Sequence, residues 1–256
     1  MTERPVYPTW VRPARVRQLW TLTAAVLVVA VVVGLAWPPG LAIALLAAPF
    51  AYIALVITVA SHRLSPRGGD LQRTVHGLVA DAVGPGGRLL DVGCGSGQLV
   101  IRMAATVPGS YVGLDSWGDD WQYSQAQAGR NARLEGVAGL ELVRGSASRL
   151  PFDDGAFDRV VSCLTFHEVR DADATVCLGE ALRVLRPGGR FAFVDLFDDP
   201  GFYAGRAAAL EAIRAGGGRV ETVHAVADVI PLTWPMTLGK VLGHAILVAG
   251  SKASAD

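Results

Sequence analysis

The sequence predicts an α/β fold, a mostly parallel sheet with helices on both faces, preceded by a helical hairpin long enough to cross a membrane twice. Three observations carry this expectation. Residues 21–60 contain no charged side chain. From about residue 67, short apolar runs alternate with amphipathic ones, as strands and helices do when they build a parallel sheet. Finally, LLDVGCGSGQLV at 89–100 ends a strand-like run on Asp91 and then places glycines at 93, 95 and 97.

The uncharged stretch holds two runs, TLTAAVLVVAVVVGLAW and LAIALLAAPFAYIALVITVA, divided by Pro38, Pro39 and Gly40. A helix rises ~1.5 Å per residue, so about 20 residues cross a ~30 Å hydrocarbon core. The runs predict membrane helices over about 20–37 and 41–60, with the Pro-Pro-Gly breaking the helix and reversing the chain. Arg4, Arg12, Arg15 and Arg17 precede the first run, Arg63, Arg67 and Arg73 follow the second, and the connection has no charge. The positive-inside tendency then places both ends in the cytoplasm, at what is expected to be a bacterial plasma membrane. Trp20 and Trp37 stand where interfacial anchors would. Two rival readings stay open, a signal peptide cleaved after Gly34-Leu35-Ala36 and a buried soluble hairpin. The first run exceeds a usual apolar signal core, and an uncharged hairpin is hard to hide in a small domain. The expected division is an anchor over 1–66 and a second domain over 67–256.

Within the second region, DLQRTVHGLVADAV (70–83) puts Leu71, Val75, Leu78, Val79 and Ala82 on one helical face. Gly84-Pro85-Gly86-Gly87 stops it, and RLLDV follows as a buried strand. QLVIRMAATV is a helix ended by Pro108-Gly109. SYVGLD is the second strand, and Trp117 to about Gly136 a second helix. LELVRG and FDRVVSCL are strands three and four. ADATVCLGEALRVL is a helix stopped by Pro187-Gly188-Gly189, and RFAFVDLF the fifth strand. AGRAAALEAIRAG is a helix closed by Gly216-Gly217-Gly218. Strands around 219–226 and 241–249 complete the set, and SKASAD reads as a frayed tail. The apolar stretch DVIPLTWPMTLGKVLGHAILVAG contains Pro231, Pro235, Lys240 and His244, which argue against a third span and for a loop followed by the last strand.

Composition sets limits on function. The 256 residues carry a net charge of zero, so no basic field recruits nucleic acid. Cys94, Cys163 and Cys177 show no CxxC spacing, which argues against a zinc site or a disulfide framework. Asp195, Asp198 and Asp199 suggest a metal, but no histidine lies at ligand spacing, and a solvated turn is the expected reading.

Glycines after a first strand permit positive φ and let a ligand approach bare backbone. In open α/β sheets, ligands sit at the carboxyl ends of the strands beside such a turn. An acid near the end of the second strand commonly takes ribose hydroxyls, and Asp115 fills that place. The pattern here is GxGxG preceded by an acid, not the GxGxxG that faces a pyrophosphate. Asp91 would repel a pyrophosphate but suits a cationic ligand. S-Adenosyl-L-methionine carries a sulfonium and an ammonium and no phosphate, so charge favours it over a nicotinamide dinucleotide.

With LLDVGCGSG, YVGLD, LPFDDGAFDRVVS and EALRVLRPGGRFAFVDL in this order, the chain resembles the class I S-adenosylmethionine-dependent methyltransferases. Within them it is similar to the type 11 branch that includes the quinone C-methyltransferases. The resemblance covers roughly 70–250. It implies a Rossmann-like seven-stranded sheet in order 3-2-1-4-5-7-6 with an antiparallel last strand. It also implies that Asp91, Gly93, Cys94, Gly95 and Gly97 line the methionine end of the cofactor, and that Asp115, flanked by Ser116 and Trp117, holds the ribose. Relatives carry Gly-Asp-Ala before LPF, where the acid contacts the adenine amine. This chain has Ser146 followed by Ala147 there, so the serine stands in for the acid.

Methyl transfer needs alignment above all, and a base only where the nucleophile must lose a proton. His167 and Glu168 follow the fourth strand as candidates. The alternative places His167 as a cap on the strand-to-helix turn and Glu168 as a helix cap or partner of Arg170. Asp171 and Asp173 read as acids at a helix N-terminus. Trp117, Trp121 and Tyr123 are expected to wall the adenine, to cover the substrate or to pack a helix, and Cys94 to fill space in the turn. A membrane anchor suits a hydrophobic small-molecule or lipid acceptor concentrated in the bilayer, such as a quinol or an isoprenoid. A non-catalytic cofactor-binding module stays open as the second reading, and the oligomeric state is undetermined.

Overall fold

The computed structural model describes residues 3–118, 121 and 123–254, and divides into two compact units. One unit spans Pro8–Gln72, and the other combines the first seven residues with Arg73–Asp256.

The smaller unit is a helical hairpin. Helix α1 runs Pro13–Ala36, longer at its N-terminal end than the expected 20–37. The chain reverses at Trp37, enters a 3-10 stretch over Pro38–Leu46 and continues as α2, Ala47–Leu64. The second helix therefore starts at Pro38 in tighter 3-10 form, not at 41 as a regular α-helix. Prolines at its first positions lack the N–H that the first turn leaves unpaired. The reversal is close-packed. A Cβ on Gly34 would fall 2.5 Å from Leu41 Cδ2, and one on Gly40 2.5 Å from Val33 Cγ1. Trp20 Nε1 donates to Thr58 Oγ1 at 3.1 Å across the pair. Both segments are long and apolar enough to cross a membrane. Ala54, Val56 and Ala60 are buried, but many apolar side chains face outward, with Val28, Val32, Leu35, Leu45 and Leu46 each well over half exposed. The core helix of a water-soluble protein would bury such residues.

The larger unit is a seven-stranded sheet in the order β3-β2-β1-β4-β5-β7-β6. Its strands are β1 Arg88–Val92, β2 Ser110–Asp115, β3 Glu141–Arg144, β4 Phe157–Cys163, β5 Leu185–Asp195, β6 Gly218–Ala225 and β7 Ile246–Lys252. Strands β1 to β5 pair in parallel, and β7 runs antiparallel to both β5 and β6. The order and the reversed last strand are those the resemblance implied. Helix α3 Leu71–Val83 leads into β1, and helices α4 Gln98–Thr106, α5 Gln125–Leu134, α6 Ala174–Arg183 and α7 Arg206–Ala215 connect later strands. Leu90, Val92, Val112, Leu114, Val160, Phe191 and Phe193 are buried to 1% or less, the continuous apolar pattern of strands covered on both faces.

Several expected boundaries move. The helix expected from Trp117 begins only at Gln125, where Ser124 caps it by accepting from Gln127 N at 3.1 Å. Trp117 itself has φ +42°, which ends the strand in a turn. Asp119, Asp120 and Gln122, which fell within that expectation, lie outside the described residues. Strand β5 begins at Leu185, not Arg190. The Pro-Gly-Gly expected to separate helix from strand is absorbed in a register shift between the pairs Phe157↔Leu185 and Arg159↔Arg190. The tail is not frayed at Ser251 and Lys252. Both lie in β7, and Lys252 Nζ donates to Leu182 O at 2.8 Å and Leu185 O at 2.9 Å. The stretch after residue 226 forms a short helix, a loop with a π-turn at Gly239–Gly243, and then β7. Only the two N-terminal helices among the described residues qualify as spans.

Candidate functional site

The parallel strands bring their carboxyl ends to one edge, and the order turns between β1 and β4, where open α/β sheets place ligands. The first feature there is the glycine turn. Gly93, Gly95 and Gly97 have φ of +80°, +54° and +85°, the conformation that a Cβ disfavours. Space also excludes side chains. A Cβ on Gly93 would lie 2.1 Å from Thr165 Oγ1, and one on Gly97 2.6 Å from Ile101 Cδ1. The turn is strapped to the second strand. Gly93 N and Cys94 N both donate to Leu114 O, at 2.7 and 3.0 Å. The Cys94 thiol packs against Gly113, whose Cβ would meet Sγ at 2.8 Å, so that side chain fills the space beneath the turn.

Two acids frame this turn. Asp115 ends β2 and accepts Gly95 N on Oδ2 and Trp117 N on Oδ1, both at 2.8 Å. Burial raises its pKa, against the pull of these backbone donors. A carboxylate offers about four lone-pair positions, so capacity remains for hydroxyls. Trp117 is 5% exposed, and its Nε1 donates to Gly95 O at 2.9 Å. It thus holds the turn's backbone, a role beyond simple wall or helix packing. Trp121 stacks on Tyr123 at 5.4 Å between ring centroids, and Tyr123 lies over Gly95.

Asp91 is 2% exposed, and its Oδ2 has no hydrogen-bond partner. Burial first, and the nearby Asp115 second, push its pKa up to about 7. Native structures rarely leave a buried carboxylate oxygen unmatched. An orphaned anion beside three open glycines fits a cationic group approaching from outside.

Ser146 and Ala147 follow β3, one strand beyond Asp115. Ser146 Oγ donates to Asp171 Oδ2 at 2.9 Å, and Ser148 Oγ does so at 2.8 Å. These hydroxyls lower the Asp171 pKa. A carboxylate therefore does stand at this position, supplied by the loop before α6. That corrects the reading of Asp171 as a helix acid. Asp173 does cap α6, accepting Thr175 N at 2.8 Å.

The second half of the site joins β4 to β5. Thr165 contacts Gly93 through Oγ1, 3.5 Å from Gly93 O. Two residues on, His167 Nδ1 is paired with Asp195 Oδ1 in a short hydrogen bond. Asp195 is fully buried and also accepts Leu196 N at 2.7 Å and His167 N at 3.3 Å. Asp199 is 2% exposed and accepts Gly201 N at 2.8 Å, with His244 Nδ1 3.3 Å away. The expected solvated turn is therefore wrong for Asp195 and Asp199; Asp198 alone is surface-paired, with Arg206 Nε at 2.8 Å. Glu168 Oε1 lies 3.8 Å from His167 Nε2. Phe202 packs on the His167 ring at 4.9 Å between centroids. Burial is the largest single influence on His167 and lowers its pKa, but Asp195, Glu168 and Asp199 together outweigh it, and the net shift is upward. No group of three metal-ligating side chains forms among the described residues.

Sequence reasoning missed Asn131. It is 1% exposed, and Nδ2 donates to Ser96 O in the glycine turn at 3.0 Å. Its amide also grips the N-terminal segment, accepting Val6 N at 2.9 Å and donating to Val6 O at 2.8 Å. One polar residue among the several in α5, QAQAGRNARL, carries no local signal of this.

Residues 90–193 match the model of a methyltransferase domain. Over 121 residues, 47% of the chain, it is 40% identical to a fatty-acid O-methyltransferase of Mycolicibacterium smegmatis, of which the match spans 41%. It is 36% identical over 119 residues to a phthiotriol/phenolphthiotriol dimycocerosates methyltransferase of Mycobacterium tuberculosis, spanning 43% of this chain and 38% of that one. The chain thus spans well under half the length of these relatives. A solved geranyl diphosphate methyltransferase in complex with SAM superposes with a TM-score of 0.59 at 19% identity, covering 75% of this chain and 89% of that one. At that identity the likeness shows the fold.

Proposed function

With a methyltransferase domain over residues 90–193 as premise, we propose that the chain is an S-adenosylmethionine-dependent methyltransferase, held at the cytoplasmic face of a membrane by its N-terminal hairpin and acting on a hydrophobic or lipid acceptor. The observation that carries the cofactor reading is Asp91 Oδ2, buried and without a partner beside the glycine turn. When bound, the cofactor supplies a methyl group made electrophilic by its sulfonium. Asp91 and the open backbone at Gly93–Gly97 would hold its amino-acid end. Asp115 would take the ribose, with Trp117 fixing the turn. Ser146 and Ala147 would border the adenine. His167 and Glu168 face the acceptor side.

Two supports favour an apolar acceptor at a membrane. The hairpin exposes an uncharged surface that water disfavours. The two curated relatives carry fatty-acid and phthiotriol substrates in their names. The arginines that flank the two apolar runs, with none in residues 21–60, favour an orientation with both ends inward.

The test is calorimetry of the purified full-length chain with S-adenosylmethionine, followed by incubation of membranes with methyl-labelled donor and extraction of lipids. Label in the lipid phase is expected. Label confined to protein or aqueous products refutes the acceptor class, and absence of binding at millimolar donor refutes the cofactor. A second reading, a cofactor-binding scaffold without transfer, rests on Ser146 in place of the usual acid. It requires binding with no S-adenosylhomocysteine formed.

A further inference from the structure

The acceptor side of the site is built around one imidazole and several carboxylates. The groups facing His167 come from each element around it. Asp195 closes β5 and engages Nδ1. Glu168, on the same short turn, lies 3.8 Å from Nε2. Asp199, buried in the loop after β5, adds its field, and it is itself shared with His244. Tyr203 lies buried near Asp195 and is held protonated, by burial first and by Asp195 next. With Nδ1 committed to Asp195, Nε2 is the nitrogen left to meet a substrate. Phe202 covers one side of the ring and is itself 36% exposed, an apolar surface for the body of an acceptor.

This arrangement distinguishes between two kinds of oxygen nucleophile. A fatty-acid carboxylate is already ionised near neutrality; it needs no base, and here it would enter beside the buried acids Asp195 and Asp199. An alcohol or phenol is uncharged, escapes that repulsion and must lose its proton to become an ether. Resting on the methyl-transfer reading above, we propose that the acceptor is an uncharged hydroxyl on an apolar body, that His167 takes its proton through Nε2, and that Asp195 is the positioning residue that fixes the ring. The acceptor oxygen forms a bond to the methyl carbon as the carbon–sulfur bond breaks, the bonding pair leaving with sulfur as a neutral thioether. The hydroxyl proton passes to His167, whose charge Asp195 balances, and then to solvent.

The test uses the full-length chain in detergent micelles with methyl-labelled S-adenosylmethionine and three probes, 1-hexadecanol, 4-nonylphenol and palmitic acid. Methyl ether from a hydroxyl probe is expected, at about a hundredfold or more the rate of methyl palmitate. His167→Gln should lower kcat on the hydroxyl probe by about 10²–10⁴-fold while leaving donor affinity, read by calorimetry, within about twofold. Asp195→Asn removes the anion that raises the His167 pKa. Its rising pH–rate limb, and the His167 ring titration followed by NMR without donor, should both move to lower pH. Methyl palmitate as the main product, ring-methylated phenol instead of ether, or no transfer to either hydroxyl by donor-loaded protein each overturns the proposal. Unchanged turnover in His167→Gln, or an unmoved titration in Asp195→Asn, does so too. The product distribution of the wild-type chain decides even where a variant does not fold. Failure to bind the donor would strike the underlying cofactor reading instead.

Discussion

Lowering the pH from 8 to 6 should weaken S-adenosylmethionine binding about tenfold, through Asp91. Its carboxyl is buried with one oxygen unpartnered and its pKa pushed up to about 7 by burial and then by Asp115. A cationic ligand selects the ionised form. With that pKa the group is ~90% ionised at pH 8 and ~9% at pH 6. The ratio corresponds to about 1.4 kcal/mol of binding free energy. Calorimetry at several pH values and constant ionic strength measures it. Asp91→Asn should bind more weakly at pH 8 and lose most of the pH dependence. The same residue has the opposite effect on stability. Its folded pKa lies above the ordinary value near 3.8, so folding opposes ionisation, and stability is lost as pH rises from the ordinary range through about 7. At pH 8 Asp91→Asn should therefore be the more stable protein, by at most about 4 kcal/mol, with the difference vanishing near pH 3. A donor affinity flat between pH 8 and 6, or a variant that keeps the wild-type slope, would refute the assignment of Asp91 to the cationic end.

Other outcomes test the remaining parts. Gly93→Ala places a Cβ 2.1 Å from Thr165 Oγ1 at φ +80°; it should abolish measurable donor binding and lower stability by about 1–3 kcal/mol, read by thermal melts. Asn131→Ala leaves Ser96 O and the Val6 backbone groups without their amide partner; a loss of about 1–3 kcal/mol is expected, together with faster hydrogen exchange at the Val6 amide. Ser146→Asp sets a second acid against Asp171, now 2.9 Å from Ser146 Oγ; donor affinity should fall, and a gain would count against Asp171 as the local carboxylate. Arginines at Val28 and Val32, both over half exposed, should block membrane insertion at about 2.5–3.5 kcal/mol each near a span's centre; unchanged sedimentation with membranes in carbonate wash would count against two spans.

What was legible in the sequence was whatever repeats locally. The hairpin reads from an uncharged stretch and a Pro-Pro-Gly break, the strands and helices from apolar periodicity, and the turn from three glycines at alternate positions, because backbone conformation is set by neighbours a few residues away. Where local signals overlapped, boundaries slipped. The aromatic Trp117, Trp121 and Tyr123 imitate an amphipathic helix that begins only at Gln125, and the Pro-Gly-Gly after α6 reads as a break although the sheet absorbs it as a bulge. The tertiary structure alone decided which side chains meet. Asp195 reaches His167 across 28 residues because β4 and β5 end side by side. Asp171 meets Ser146 across 25 residues, and Asn131 joins Ser96 of the glycine turn to Val6. The Asp195–His167 pairing depends on strand order and on the shared direction of parallel strands, which bring their carboxyl ends to one edge whatever their separation along the chain.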